Sequence, residues 1–354
     1  MIFYVVVSSA LMALALYARN RPQLSLFLFR ACLPVVFAIV ALRFEVGCDW
    51  GAYQYHFDSM TPDAFGDNLP RVEPGYWFVL DAIKVMGLPF ETLNVVTSLL
   101  FFTGLYVFGR RQPAPMTVLA VVVPILVFAL AMSAIRQAAA MGFVMMALVQ
   151  FERRKLLLYV TLVGLGFLFH TSAILFLLLA PFIKIRVSVL NVLFMLPFVI
   201  GIGVIVSGLE GVEQASTRYV DNVANVAAGA PFRTTLLGAT GLLFPVFLSR
   251  RWRHFTPGDY TLAQIGSGLM IATAVLVFVE PTIADRFGYY LIIIQAMLLA
   301  RMEYLRVPGA TLILTGFLFG MLAFFVLWWQ LSWQLPYCYS PYQNIGLRAL
   351  FGAG

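Results

Sequence analysis

Long apolar runs, parted by short links rich in arginine, recur from one end of the sequence to the other. A run near twenty residues long satisfies its own backbone in a bilayer only as a helix, so the expected fold is all-α: a polytopic transmembrane helical bundle. With 62% hydrophobic and only 11% charged residues among 354, a soluble fold is not a serious alternative. The net charge of +7 would suggest a nucleic-acid partner in a soluble protein. Here the excess lies in the links that orient the spans, so no nucleic-acid partner follows.

The expected spans are Ile2 to Ala18, Leu24 to Leu42, Thr92 to Phe108, Met116 to Met132, Ile135 to Phe151, Leu156 to Phe169, Ser172 to Ile183, Val187 to Ser207, Thr235 to Ser249, Tyr260 to Val279, Arg286 to Ala300 and Ala310 to Leu331. That makes about twelve in one transmembrane domain, 1–354, with both termini outside. No charge precedes the first apolar run, and Arg19 and Arg21 follow it, which favours an uncleaved first span over a signal peptide. The pair flanking His170 is short for a bilayer, so tilting, re-entry or shelter inside the bundle is expected.

Sidedness then sorts the 23 basic residues. Fourteen fall in inner links: Arg19, Arg21, Arg110, Arg111, Arg153, Arg154, Lys155, Lys184, Arg186, Arg250, Arg251, Arg253, Arg301 and Arg306. The positive-inside rule accounts for these, and leaves Arg43, Arg136, Arg218 and Arg286 on the other side without an explanation. Three outer segments are longer than turns. The loop 43–91 holds eight of the sixteen acidic residues and an expected interfacial helix from Gly75 to Met86. The loop 208–233 carries Arg218-Tyr219, and the tail 332–354 carries Pro336-Tyr337 and Ser340-Pro341-Tyr342. Cys48 and Cys338 both fall outside, where an oxidising compartment would let them pair.

Each candidate has an ordinary reading beside the functional one. Arg43 is a planar fork for phosphate or carboxylate, or an anchor paired with Glu45 or Asp49. Arg136, between two apolar runs, is a functional group by default at that depth, or a snorkelling one. His170 interrupts an apolar stretch and is either a base toward a hydroxyl or a satisfied core histidine, with Thr171 or Ser172 capping the next helix. Asp285-Arg286 is a substrate group or a local ion pair at a helix start, and Arg218 a clamp or a solvated charge. No zinc spacing, Walker loop, dinucleotide loop, serine elbow or Asp-x-Asp pair is present, so neither a metal nor a cofactor is expected. Several arginines beside a hydrophobic bundle suit a lipid-linked diphosphate.

These residues resemble the EpsG family of bacterial polysaccharide polymerases, within the wider O-antigen polymerase-like (Wzy-like) group. The resemblance rests on Arg43 with Val46-Gly47-Cys48-Asp49-Trp50 and Tyr53, then Glu73-Pro74-Gly75-Tyr76, Arg136-Gln137, Phe169-His170-Thr171-Ser172-Ala173, Arg286 with Tyr290, and Pro341-Tyr342. Where the family often has threonine, this chain has Cys48. The resemblance implies a GT-C-like bundle in the bacterial inner membrane and a periplasmic site, with transfer of a glycan from undecaprenyl diphosphate to a hydroxyl of a second lipid-linked unit. A chain-length regulator is a conceivable partner, alongside membrane lipids. On this basis Arg43, Arg136, Arg218 and Arg286 share the diphosphate, and His170 or Asp49 is the base with Glu73 or Asp285 in reserve. Tyr53, Tyr290 and Tyr342 lie on the substrate side. The rivals are an O-antigen ligase, a membrane acyltransferase using His170, and a flippase or transporter, which would place ionisable groups near mid-membrane.

Overall fold

In the computed structural model, residues 1–61, 72–185, 229–332 and 335–346 are described. The expected span Val187 to Ser207, Arg218 and most of the loop 208–233 lie outside them. Every regular element among the described residues is helical, beside one isolated bridge between Arg43 and Asn344. In chain order these are α1 (Ile2–Ala18), α2 (Pro22–Ala41), α3 (Trp50–Ser59), α4 (Pro74–Val85), α5 (Thr92–Gly109), α6 (Pro115–Val122), α7 (Ile135–Glu152) and α8 (Leu156–Phe167). There follow a 3₁₀ segment (Thr171–Ile183), α9 (Ala230–Leu243), α10 (Ser249–Phe255), α11 (Tyr260–Leu276), α12 (Pro281–Arg301), α13 (Ala310–Leu331) and α14 (Leu335–Tyr339).

Among the described residues, five helices are long and apolar enough to cross a membrane: Pro22–Ala41, Thr92–Gly109, Ala230–Phe255, Ile283–Arg301 and Ala310–Leu331. Four shorter apolar ones are Ile2–Ala18, Pro115–Ala131, Leu156–Phe167 and Thr171–Ile183. The last has a physical account that the sequence does not supply. Thirteen residues of α-helix rise only about 20 Å, but 3₁₀ winding at ~2.0 Å per residue carries them roughly 26 Å. The expected cap is also corrected: His170, not Thr171 or Ser172, is the N-cap, its ring accepting from the Ser172 amide. A helix appears as α4 where one was expected from Gly75 to Met86, while α3 is an element the sequence did not announce.

Prolines explain where two rods change winding. Pro124 follows α6 and removes a donor from the ladder, and the chain continues as a π-helical stretch over Val123–Ala131. Pro245 does the same between α9 and α10, over Phe244–Leu248. The shaft of the bundle is α6 with its π stretch, α7 and the second half of α12, whose side chains are almost all buried. Gly104 of α5 and Gly142 of α7 let two backbones touch: a Cβ on Gly104 would collide with the Gly142 carbonyl, and one on Gly142 with that of Leu100.

Contacts at the helix ends sort into two sets. One end gathers Arg43, α3, α4, Ser133–Arg136, Leu168–Ser172, the starts of α9 and α12, and the tail. The other gathers the basic links expected inside. There the reading of Arg301 as a purely orienting charge is corrected. It is 5% exposed, its Nε donates to Gln112 Oε1 at 3.0 Å, and it pairs with Asp259 and, at 3.9 Å, with Glu152. Trp252 Nε1 donates to the same Asp259 at 2.7 Å. Arg301 thus ties the ends of α7, α10 and α12 together. Replacing it by methionine leaves two carboxylates with side chains 8% exposed without this partner, and the expected loss is about 3–5 kcal/mol. Thermal unfolding in detergent reads it, with Arg306→Gln at an exposed position as the control that leaves Tm unchanged.

Candidate active site

The loop 43–91 begins at Arg43, and the structure gives this arginine to the fold. Its Nη1 donates to the Val40 carbonyl at 2.7 Å, Nε to that of Val46 at 3.0 Å and Nη2 to Asn94 Oδ1 at 2.7 Å. At 1% exposure it is closed to a ligand, and it fixes the turn that leads to Asp49. Gly47, at φ +118, is the next fixed point, since a Cβ there would collide with the Met132 carbonyl. The Cys48 amide then donates to Ser133 Oγ at 2.9 Å. Asp49, the N-cap of α3, is thereby docked beside the turn that precedes Arg136.

A disulfide joins Cys48 to Cys338 across 290 residues, with the Cα atoms 4.7 Å apart. Gly47 also donates its amide to the Cys338 carbonyl at 2.7 Å. The tail therefore straps the Asp49 turn. Tyr342 belongs to the same seam: its hydroxyl donates to the Ile39 carbonyl at 2.8 Å, and its ring stacks on Phe3 at 4.4 Å. That places it in the packing of α1 and α2.

Glu73 is the hub of the cluster. Its backbone is left-handed, φ 68 and ψ 54, a conformation that costs a residue with a side chain and persists only where the surroundings impose it. They do: Gly75 donates to the Leu168 carbonyl at 2.8 Å, which pins α4 against the end of α8. The carboxyl, 7% exposed, accepts from Arg136 Nη1 at 2.6 Å and from the Thr171 amide at 3.3 Å. Arg136 in turn lies between two rings, 5.7 Å from Tyr53 and 5.4 Å from Tyr76. Both tyrosines are buried, so Tyr53 supports the arginine rather than offering a face to solvent.

Arg286 enters from the start of α12, where its carbonyl accepts from Gln137 Nε2 at 3.1 Å. Its charge acts on Asp49, Glu73 and His170. Burial raises the Asp49 carboxyl above its ordinary range, opposed by Arg286 and Arg136, although the residue keeps solvent exposure. Burial also raises Glu73, against the pull of Arg136. His170 goes the other way: burial, then the positive charges of Arg286 and Arg136, push its imidazole down to about 3. Its Nε2 is 3.9 Å from Glu73 Oε1, so this is a contact with a neutral ring and not an ion pair.

Asp285 does not pair with its neighbour Arg286. It accepts from Arg233, with Nε at 2.9 Å, and Arg233 is 6% exposed beneath Tyr289 and Trp328 at 5.3 Å each. Sequence reasoning passed over Arg233 although it is basic and falls on the side expected to be outer, the same signal that singled out the four named arginines. Tyr290, 1% exposed, bonds Ser172 Oγ through its hydroxyl at 2.9 Å.

Asp49, Glu73, Arg136, His170 and Arg286 thus come together, while Arg43, Tyr53, Tyr290 and Tyr342 serve the packing around them, and Arg218 lies outside the described residues. A cavity of about 400 Å³ opens at the opposite end, between Arg19, Pro113, Phe255, Glu303, Tyr304 and Arg306, and holds none of this cluster. Among the described residues no group of three or more His, Cys, Asp or Glu is arranged to hold a metal ion. In comparison with known proteins, the model of the EpsG family matches residues 26–344. No curated protein and no solved structure matches the chain.

Proposed function

Because the chain belongs to the EpsG family, a family of Wzy-like polysaccharide polymerases, we propose that it joins lipid-linked oligosaccharide units at the end of the bundle that carries Arg136 and Arg286. The observation that carries this reading is the convergence of Asp49, Glu73, Arg136, His170 and Arg286 from five separate stretches of chain. The donor is a glycan on undecaprenyl diphosphate and the acceptor a sugar hydroxyl on a second lipid-linked unit. In the step itself, the bond from the anomeric carbon to the diphosphate oxygen breaks. A bond to the acceptor oxygen forms, and the hydroxyl proton passes to Asp49.

Arg136 and Arg286 meet the charge that grows on the departing diphosphate. Positioned positive groups in a water-poor site stabilise that transition state more than the bound substrate. Arriving diphosphate also opposes the arginine charge felt by Asp49, which raises its carboxyl further and makes it the better base. His170 is less suited to that role than its ordinary titration suggests, because burial and the two arginines lower its proton affinity and Nδ1 is already engaged. Asp49 therefore takes the base assignment, and Arg218 remains a proposed contributor to the diphosphate. The scheme calls on neither metal nor cofactor, since the arginines answer the charge.

The Cys48–Cys338 disulfide supports a site that faces an oxidising compartment, the periplasm, from the inner membrane. A bundle of twelve spans in a GT-C-like arrangement, and a chain-length regulator as partner, belong to the same proposal. The test is the lipid-linked glycan profile of cells lacking the gene. A polymer ladder that collapses to one capped repeat unit, and returns with the wild-type gene, supports polymerisation. Polymer retained on its lipid carrier identifies a ligase instead, and repeat units trapped on the cytoplasmic face identify a flippase.

A further inference from the structure

The ring nitrogen that faces away from the cluster determines what the other one can do. His170 Nδ1 receives the Ser172 backbone N–H at 3.3 Å. A backbone amide only donates, so Nδ1 holds a lone pair. Ser172 Oγ, 2.6 Å from the same Nδ1, then donates its hydroxyl hydrogen bond to the ring. With that proton committed, the Ser172 oxygen accepts from the Tyr290 hydroxyl at 2.9 Å. Every proton along the chain Tyr290 to Ser172 to His170 now has one direction, and the imidazole carries its hydrogen on Nε2.

That Nε2–H projects toward Glu73 Oε1 but stops 3.9 Å short, beyond hydrogen-bond reach. Glu73 is occupied by Arg136 and the Thr171 amide. Among the described residues, the charged and titratable groups around the ring are Glu73, Arg136, Arg286 and Tyr290. Arg136 and Arg286 together exceed the single carboxylate of Glu73, and the net positive charge beside a bound N–H makes a place for an anionic oxygen.

We propose that His170 donates its Nε2 hydrogen bond to an oxygen of the departing diphosphate, with Ser172 and Tyr290 as positioning residues that fix the tautomer. The substrate named here rests on the polymerase reading; the tautomer does not. No proton is transferred, so the ring is the same species before and after the step. Tyr290, expected on the substrate side, acts from behind the histidine, and because it follows Arg286 by one turn of α12, a single helix sets two of the diphosphate contacts.

The experiment combines ring-nitrogen NMR with turnover. Protein labelled with ¹⁵N in its three histidines is measured in detergent or nanodiscs, the His170→Gln spectrum assigning the signals. The expected wild-type result is an Nε2–H tautomer that does not titrate between about pH 5 and 8. Ser172→Ala leaves Nδ1 only the long amide contact, and Tyr290→Phe frees the Ser172 oxygen to accept from the ring, so both should mix the tautomers and lower kcat about tenfold with KM little changed, and Ser172→Thr should restore both. His170→Gln, whose amide still donates, should stay within about tenfold of wild type, while His170→Ala falls by more than about a hundredfold. An Nδ1–H tautomer in the wild type overturns the proposal. So does a rate inflection near the ordinary histidine pKa of about 6.5 that disappears in His170→Gln, or a Ser172→Ala protein with unchanged spectrum and rate. The tautomer is read without substrate, so an error in the reaction assignment leaves that result standing, and a wrong tautomer leaves the reaction assignment intact.

Discussion

Arg136→Ala is expected to lower polymer formation by about 10²–10³-fold, the effect of deleting one preorganised donor at a charge that develops in the transition state, while single repeat units accumulate on their carrier. The side chain has a second role that could imitate this result. It neutralises Glu73, whose carboxyl is 7% exposed, and removing it leaves that carboxyl buried among Tyr53, Tyr76 and His170. Arg136→Ala combined with Glu73→Gln separates the two. If the double variant recovers its Tm but not its polymer, the arginine acts on substrate. Polymer at wild-type length and amount in a correctly inserted Arg136→Ala protein defeats the assignment.

Asp49→Asn is the other large effect, about 10²–10⁴-fold in kcat for loss of a general base. The asparagine keeps the shape of the N-cap and the turn tied to Ser133, so insertion and the disulfide should be unaffected. The base works deprotonated, and burial holds its carboxyl above the ordinary range. Wild-type activity should therefore fall with acid through a limb lying higher than an exposed aspartate would give. In Arg286→Gln the limb should move higher again, since a charge that favours the carboxylate is gone. A pH profile identical in wild type and Arg286→Gln would remove Asp49 from the role.

Sidedness was legible in the sequence because a bilayer forces it: apolar runs must be helices, and basic links mark one face. That logic brought Asp49, Glu73, Arg136, His170 and Arg286 to one end before any coordinates. It could not rank them. Arg43 carries the same charge on the same side as Arg136, and what separates them is Asn94, 51 residues away, which takes its guanidinium into the fold. Arg233 was overlooked for the converse reason, since its value depends on Asp285 and not on its own neighbours. Nor does an apolar run declare its winding: nothing in Thr171–Ile183 distinguishes 3₁₀ from α, yet that choice decides how far the segment reaches. The start of the same segment hides a histidine cap, because the amide and the hydroxyl of Ser172 both meet one nitrogen of the preceding ring.

The strap from Cys338 to Cys48 also sets an order of events during synthesis. Residue 338 leaves the ribosome after the helices through α13 have been made, so the Asp49 turn waits, unsecured, for almost the whole chain to be inserted. A chain that stops early lacks Cys338, and one that threads a helix the wrong way presents it on the wrong face; neither closes the clasp. Only a molecule whose topology is complete from Asp49 to its tail acquires the secured site, so the bond acts as a certificate of correct assembly as well as a brace.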